Sequence, residues 1–339
     1  MIIGNPKEVG LNFDRFNFLL VIGTTDVSLI PGITVAGATP ELTHFTPAAD
    51  AEYLVKGRCE VIRGVPVTPN GIPTPALLTR ASLSLTKGIV GVAVSGARVK
   101  PRSIPFINLG GEPGKDIRKY SMDRQVVRQL LDKAVTLGEA MDVGSTLILA
   151  ESIPGGTTTA MATLAALGYN SLGRMSSTSP QNPKSLKEGV VRLALRDLPQ
   201  DTLGKLAKVS DPVLLALAGI AAGFKGKSVL AGGTQMVAAA AVLKELFGKR
   251  AVIATTKWIL DDKSADMLGL ASEVGVEVLA SHVDLNRSRY EGLKFYERGY
   301  VKEGVGAGGA MLAALSSGFK EEEVLNRMDQ EYELLIAKS

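Results

Sequence analysis

Thr146-Leu147-Ile148-Leu149-Ala150-Glu151-Ser152-Ile153-Pro154-Gly155-Gly156-Thr157-Thr158-Thr159-Ala160 is the stretch that decides the fold. An apolar run leads into a carboxylate, a proline–glycine turn and the threonine- and alanine-rich start of a helix. Apolar residues without alternation mark a strand covered on both faces. The unit recurs: residues 18–24, 89–94, 251–255 and 276–280 read as buried strands, and Val229-Leu230-Ala231 leads out of another. Helical stretches over 74–85, 123–137, 157–167, 187–195, 212–222 and 235–247 fall between them. Strands alternating with helices require crossover connections and a parallel sheet. The expectation is an α/β fold, a doubly wound and mostly parallel sheet that is Rossmann-like and three-layered.

Two regions depart from this rhythm. Residues 66–75 carry Pro66, Pro69, Pro73 and Pro75, a loop that no central strand tolerates. The tail, residues 321–338, is charged but places Val324, Leu325, Met328, Leu334 and Leu335 at helical spacing. Residues 16–315 are therefore expected to form one large domain, with 1–15 and 316–339 making a small helical satellite.

The 339 residues are 45% hydrophobic and 21% charged, enough to bury a core without disulfide or metal. Cys59 is the only cysteine, which excludes an intramolecular disulfide and fits the reducing cytoplasm. The longest apolar stretches reach roughly a dozen residues, short of the ~20 a spanning helix needs, and the N-terminus lacks the pattern of a secretory signal. A net charge of +4, with scattered basic residues and a single Trp, gives no nucleic-acid footprint. His44 and His282 lack neighbouring ligands at metal spacing, so no metal is expected. Asp261-Asp262 after a strand could grip a ribose or a metal but reads first as a solvated turn.

Ligands of parallel α/β sheets sit beyond the carboxyl ends of the strands, and three glycine-rich turns fall there. Gly155, Gly156, Thr157, Thr158 and Thr159 open a helix whose first N–H groups are unpaired: a phosphate cradle, or a helix start with no ligand. It lacks the Gly-Lys-Ser/Thr ending of a Walker loop. Gly232-Gly233 serves close helix packing or a ligand contact. Gly304, Gly306 and Gly309 satisfy a dinucleotide pattern literally, but a charged segment precedes them and only thirty residues follow, too few for a ribose-binding βαβ unit. What remains is Glu303 at the mouth of a glycine-rich turn, a suitable place for a general base.

Taken in order, these pieces resemble the nicotinate-nucleotide:dimethylbenzimidazole phosphoribosyltransferase family. Glu151 and Thr157-Thr158-Thr159-Ala160 keep the family's spacing of a Glu ahead of Thr-Thr-Thr-Ala. Gly173-Arg174 keeps the start of its Gly-Arg-Gly-Thr-Gly segment, while Met175-Ser176-Ser177 departs from the rest. Lys187 precedes Val190-Val191; Asp211-Pro212 opens a helix; Val229-Leu230 and Gly233 form the next turn. Glu303-Gly304-Val305-Gly306-Ala307 matches the Glu-Gly-x-Gly-Ala near the C-terminus. The resemblance spans residues 146–315, and the family's bacterial Gly-Ser-Leu-Gly segment is missing, as for a divergent branch.

The resemblance implies an enzyme without a cofactor whose substrates are nicotinate mononucleotide and a benzimidazole-type base. It displaces nicotinate to give α-ribazole 5′-phosphate for the lower ligand of cobalamin, and works as a homodimer. Glu303 would be the general base. The 5′-phosphate would rest on Gly155–Thr159 with Lys187 as counter-charge, Glu151 would orient the ribose, and Gly233, Gly304 and Gly306 would lie against substrate. Adenine or another base as acceptor is an alternative, as is a non-catalytic nucleotide-binding relative.

Overall fold

The computed structural model describes residues 1–34, 40–62, 66–68, 71–141 and 146–337; Pro69, one of the four prolines named above, lies outside them. Eight strands form one sheet: β1 (Ile2–Ile3), β2 (Phe16–Ile22), β3 (Ile89–Ser95), β4 (Ile107–Gly110), β5 (Thr146–Ser152), β6 (Lys227–Ala231), β7 (Val252–Thr256) and β8 (Val278–Ser281). Their order is β1-β8-β7-β6-β5-β2-β3-β4. Every pairing is parallel except β1 with β8. The chain winds outward from β2 through β3 to β4, returns to pair β5 with β2, then winds outward the other way. The sheet is thus doubly wound, and its direction reverses at β2 and β5, where ligands of such sheets collect.

The period-two alternation of a strand assigns the two faces. Leu147 and Leu149 of β5 pack with the helices Arg124–Ala140, Gly156–Ala166, Pro212–Gly223 and Gln235–Phe247. Ile148 and Ala150 pack on the opposite face, against the helices Ala76–Ser84, Ala307–Ser316 and Glu321–Ile336. This is the three-layer arrangement expected from the sequence. The terminal segments meet at the edge of the second layer. The Met1 amine lies 3.3 Å from Glu321 Oε2, and Leu11, Phe13, Val324 and Met328 share the core under that face.

The helix Ala307–Ser316 explains the third glycine-rich turn. A Cβ at Gly308 would sit 2.2 Å from the Thr255 carbonyl carbon, and one at Gly309 would sit 2.5 Å from Ala231 Cβ. Only glycine lets this helix lie so close to β6 and β7. Another helix, Thr46–Lys56, carries buried Asp50 and Glu52. Among the described residues, no helix is long and apolar enough to cross a membrane.

Candidate active site

A cavity of about 810 Å³ opens beyond the carboxyl ends of the central strands. Its floor is the β5 turn, its flanks are the turn after β6 and the loops 176–178 and 301–305, and its far wall comes from residues within 33–34, 42–50, 61–62, 66–68 and 72–75. The cavity brings together Glu151, Gly155, Gly156, Thr157, Gly233, Glu303 and Gly304.

Glu303 is buried on a contorted loop. Val301, Lys302 and Val305 all have positive φ, between 54° and 65°. That region is strained for any residue with a Cβ and most so for a β-branched one. The loop is tied on every side: Thr256 Oγ1 donates to the Lys302 carbonyl (2.6 Å), the Val301 amide to Thr178 (2.7 Å) and the Val305 amide to the Glu151 carbonyl (3.0 Å). The carboxylate in turn accepts the amides of Gly304 and Gly308. Burial pushes its carboxyl up to about 7, against the pull of those amides.

Glu151 lies at the end of β5 and accepts the Ile153 amide at 3.1 Å. Burial, then the charges of Glu303, Asp211 and Asp50, raise its carboxyl to about 8, so at neutral pH it is largely protonated. Two acids in one cavity that both hold a proton more tightly than an ordinary carboxyl can divide the roles of hydrogen-bond donor and proton acceptor.

Gly155 begins the next helix at φ 81°, pressed against Ser28, whose backbone nitrogen would lie 3.0 Å from an added Cβ. No side chain caps this helix start. Thr158 and Thr159 are fully buried and do not line the cavity. Thr159 Oγ1 donates to Asp211, which also caps the helix Pro212–Gly223, and the Gly156 carbonyl lies 3.0 Å from the same hydroxyl. Gly306 (φ 69°) also lies behind the cavity, where a Cβ would fall 2.6 Å from Ala150 Cβ.

Lys187 is buried one layer back from the cavity. Its Nζ donates to the Ser176 carbonyl at 2.8 Å, and burial followed by the nearby Lys302 charge lowers it to about 8. Beside it, Lys302 pairs with Asp262 at 3.3 Å, and Ser176 Oγ donates to Asp262 at 2.7 Å. Asp262 is therefore no solvated turn: despite its burial, hydrogen bonds from Ser176 and Ser264 and the Lys302 charge hold its carboxyl below the usual range. The loop Ser176-Ser177-Thr178, in which Ser177 stands where the resembled family has a glycine, lines the cavity in front of two buried lysines. Arg174 points away, paired with Asp266 and Glu273. Among the described residues no set of His, Cys, Asp and Glu could hold a metal ion.

Asp50 and Thr74 were not singled out in the sequence, yet both line the cavity. Thr74 Oγ1 donates to Asp50 Oδ1 at 2.6 Å and Ser152 Oγ to Oδ2 at 2.7 Å. The signal available was Ala48-Ala49-Asp50-Ala51, an acid with apolar neighbours on both sides.

Fold and site together define an α/β protein with a carboxylate-lined ligand cleft at the switch point of a doubly wound sheet. The chain belongs to the UPF0284 family. It is 57% identical over 324 residues to the UPF0284 protein of Sulfurisphaera tokodaii, covering 94% of this chain and 93% of that one. It is also 57% identical over 333 residues to that of Saccharolobus solfataricus, covering 97% and 95%. No protein-family model matches the chain. Among solved structures, it is similar to a nicotinate-nucleotide-dimethylbenzimidazole phosphoribosyltransferase from Thermus thermophilus. The TM-score is 0.61 at 14% identity, over 95% of this chain and 83% of that one. A structure titled CobT from the same organism gives 0.62 at 15%, over 99% and 92%. The resemblance drawn from the sequence motifs therefore holds at the level of the fold.

Proposed function

We propose that the protein is a phosphoribosyltransferase of cobalamin synthesis that displaces nicotinate from nicotinate mononucleotide with a benzimidazole-type base. The observation that carries this reading is the position of Glu303, a buried carboxylate with its proton affinity near neutrality, in the same cavity as an uncapped helix start and an apolar wall. The fold shared with the Thermus thermophilus phosphoribosyltransferase supports it.

In this reading one ring nitrogen of the base attacks the anomeric carbon while the bond to the pyridinium nitrogen of nicotinate breaks. The electron pair of that bond neutralises the departing ring, so the leaving group needs no proton. Glu303 accepts the proton from the base's other nitrogen, and the product is the α-riboside 5′-phosphate of that base. The remaining task is to align two flat rings and stabilise an oxocarbenium-like centre, for which nearby carboxylates are suited. Protonated Glu151 donates to a ribose hydroxyl. The 5′-phosphate rests on Gly155, Gly156 and Thr157, facing the hydroxyl of Ser177 and the positive charge behind that loop. Thr158, Thr159 and Lys187 shape these surfaces from behind, and Gly306 lets the Glu303 loop close onto the sheet. Gly233 and Gly304 border the rings. A homodimer in the cytoplasm belongs to the same reading.

The test is a mass-spectrometric assay of the purified protein with nicotinate mononucleotide and a panel of bases. Nicotinate plus a new riboside phosphate is the expected result. Absence of product with every base, while the nucleotide still binds, overturns the reading.

A further inference from the structure

The far wall of the cavity is built by a segment that none of the recognised motifs touches. Phe45, Ala49, Val61, Ile62, Val67 and Ile72 present an apolar surface suited to a flat ring. The wall is fixed in place by Glu52, which is fully buried and accepts amides from both neighbouring loops: Val61 at 2.9 Å, Arg102 at 2.7 Å and Ser103 at 3.2 Å. The loop opposite is tied by Tyr296, whose hydroxyl donates to the Pro73 carbonyl at 2.9 Å.

One charged group stands in this apolar wall. Asp50 is 4% exposed and lines the cavity. The Thr74 and Ser152 hydroxyls each spend their proton on one of its oxygens. What the group turns toward the cavity is therefore acceptor capacity alone, since a carboxylate offers about four lone-pair sites and two are taken. Burial raises its carboxyl only to about 6, because those two hydroxyls favour the anion, so it is mostly ionised at neutral pH. A bound ring with methyl groups along this edge would leave an anion facing hydrocarbon, and buried acceptors without donors are costly.

We infer that Asp50 determines acceptor specificity, selecting azole-fused bases whose six-membered ring carries an N–H or O–H donor over bases with methyl groups at that edge. Adenine, with its exocyclic amine, belongs to this class; 5,6-dimethylbenzimidazole does not. The inference rests on the reading of the cavity as the place where acceptor base and nucleotide meet. Asp50 reads the ring edge and Glu303 takes the proton from the azole, so selection and chemistry fall to different carboxylates. A site built to hydrogen-bond a substrate group discriminates strongly against an isostere lacking it.

The test compares 5-aminobenzimidazole with 5-methylbenzimidazole, a pair of nearly equal shape, on the full-length protein. Two readouts are used: calorimetric binding of each free base, and competition for transfer from nicotinate mononucleotide. The wild-type protein should favour the amine by ~10-fold or more, and Asp50→Leu should bring the ratio to one or reverse it. Asp50→Asn, which keeps a carbonyl acceptor and most of the hydroxyl contacts, should fall between. Because each ratio is taken on one folded sample, partial loss of folded protein does not change it. Preference in binding without any transfer would sink the proposed reaction and leave the role of Asp50 standing. Transfer to both bases with a ratio near one, or a preference that survives Asp50→Leu, would overturn the role of Asp50. Failure of both bases to bind would overturn it as well.

Discussion

The backbone amide of Gly308 lies 3.2 Å from each oxygen of the Glu303 carboxylate. It belongs to the first turn of the helix Ala307–Ser316, whose unpaired amides and dipole favour a negative charge. The contact needs glycine, because the helix reaches Glu303 only by pressing Gly308 onto the Thr255 backbone. The base is thus held in one orientation and kept titratable near neutrality.

Glu303→Gln should retain the shape and one acceptor of the carboxylate while removing its capacity for a proton. A positioned base contributes ~10²–10⁴-fold, so kcat should fall by that range while the nucleotide dissociation constant stays put. Steady-state kinetics with parallel calorimetry checks this, and normal turnover would remove Glu303 from the mechanism.

The pH profile follows from the same group. Glu303 must be ionised to accept a proton and its carboxyl is raised to about 7, so kcat/KM should climb with pH through about 7 and fall again above about 8, where Glu151 loses the proton it donates. The Glu303→Gln variant should lose the rising limb.

Stability should run the opposite way. Glu151 titrates at about 8 in the folded chain against 4.5 for the ordinary value, so the folded state holds the proton more tightly than the unfolded one. Its contribution is fully present below about 4.5 and is lost as pH rises through about 8. Asp50, Asp211 and Glu303 are raised too and act with the same sign. Lys187, lowered to about 8, works in the other direction, but only once the pH climbs past that value. Between pH 5 and 8 the melting temperature should therefore decline, and Glu151→Gln should flatten the decline. A wild-type melting temperature that rises across this range would contradict the assignment.

Thr159 separates structure from chemistry within one motif. Its hydroxyl serves Asp211, and Asp211 accepts the Val213 and Leu214 amides at the head of the Pro212–Gly223 helix. Thr159→Val deletes a donor to a buried carboxylate and should cost about 1–3 kcal/mol of stability. Denaturant unfolding reads that loss, and kcat of the folded fraction should change little.

Gly306→Ala should be worse than an ordinary glycine substitution. It combines a left-handed φ of 69° with a Cβ 2.6 Å from Ala150 Cβ and 3.1 Å from the Phe18 ring. Overpacking of this kind costs about 1–3 kcal/mol, with backbone strain adding to it. Unfolding midpoints measure it, and an unchanged midpoint would mean the loop shifts freely.

The fold was legible because covered parallel strands are written as unbroken apolar runs: Leu147-Ile148-Leu149-Ala150 needs no tertiary context to be read as buried. Short edge strands lack that signal. β1 has two residues and β4, Ile107–Gly110, is half exposed, so their pairing depends on neighbours supplied by the fold. Half of the site was legible for a similar reason: Glu151, Gly155 and Glu303 adjoin strand ends and glycine turns, where ligands of such sheets gather. Asp50 was not, because an acid within a helix is usually solvated and only packing brings the helix Thr46–Lys56 over the end of β5. Lys187 shows the converse. Its type and register suggested a phosphate contact, but its Nζ is taken up by the Ser176 carbonyl, and which atoms a lysine reaches is decided by the fold around it.

The central claim is transfer, in which the base displaces nicotinate. The most direct measurement is the initial rate of nicotinate release from nicotinate mononucleotide with and without an acceptor base, with NMR of the product's anomeric configuration. The account predicts release only when a base is present, matched one-for-one by an α-riboside phosphate. Release at the same rate without a base, or none while nucleotide and base both bind, would contradict it.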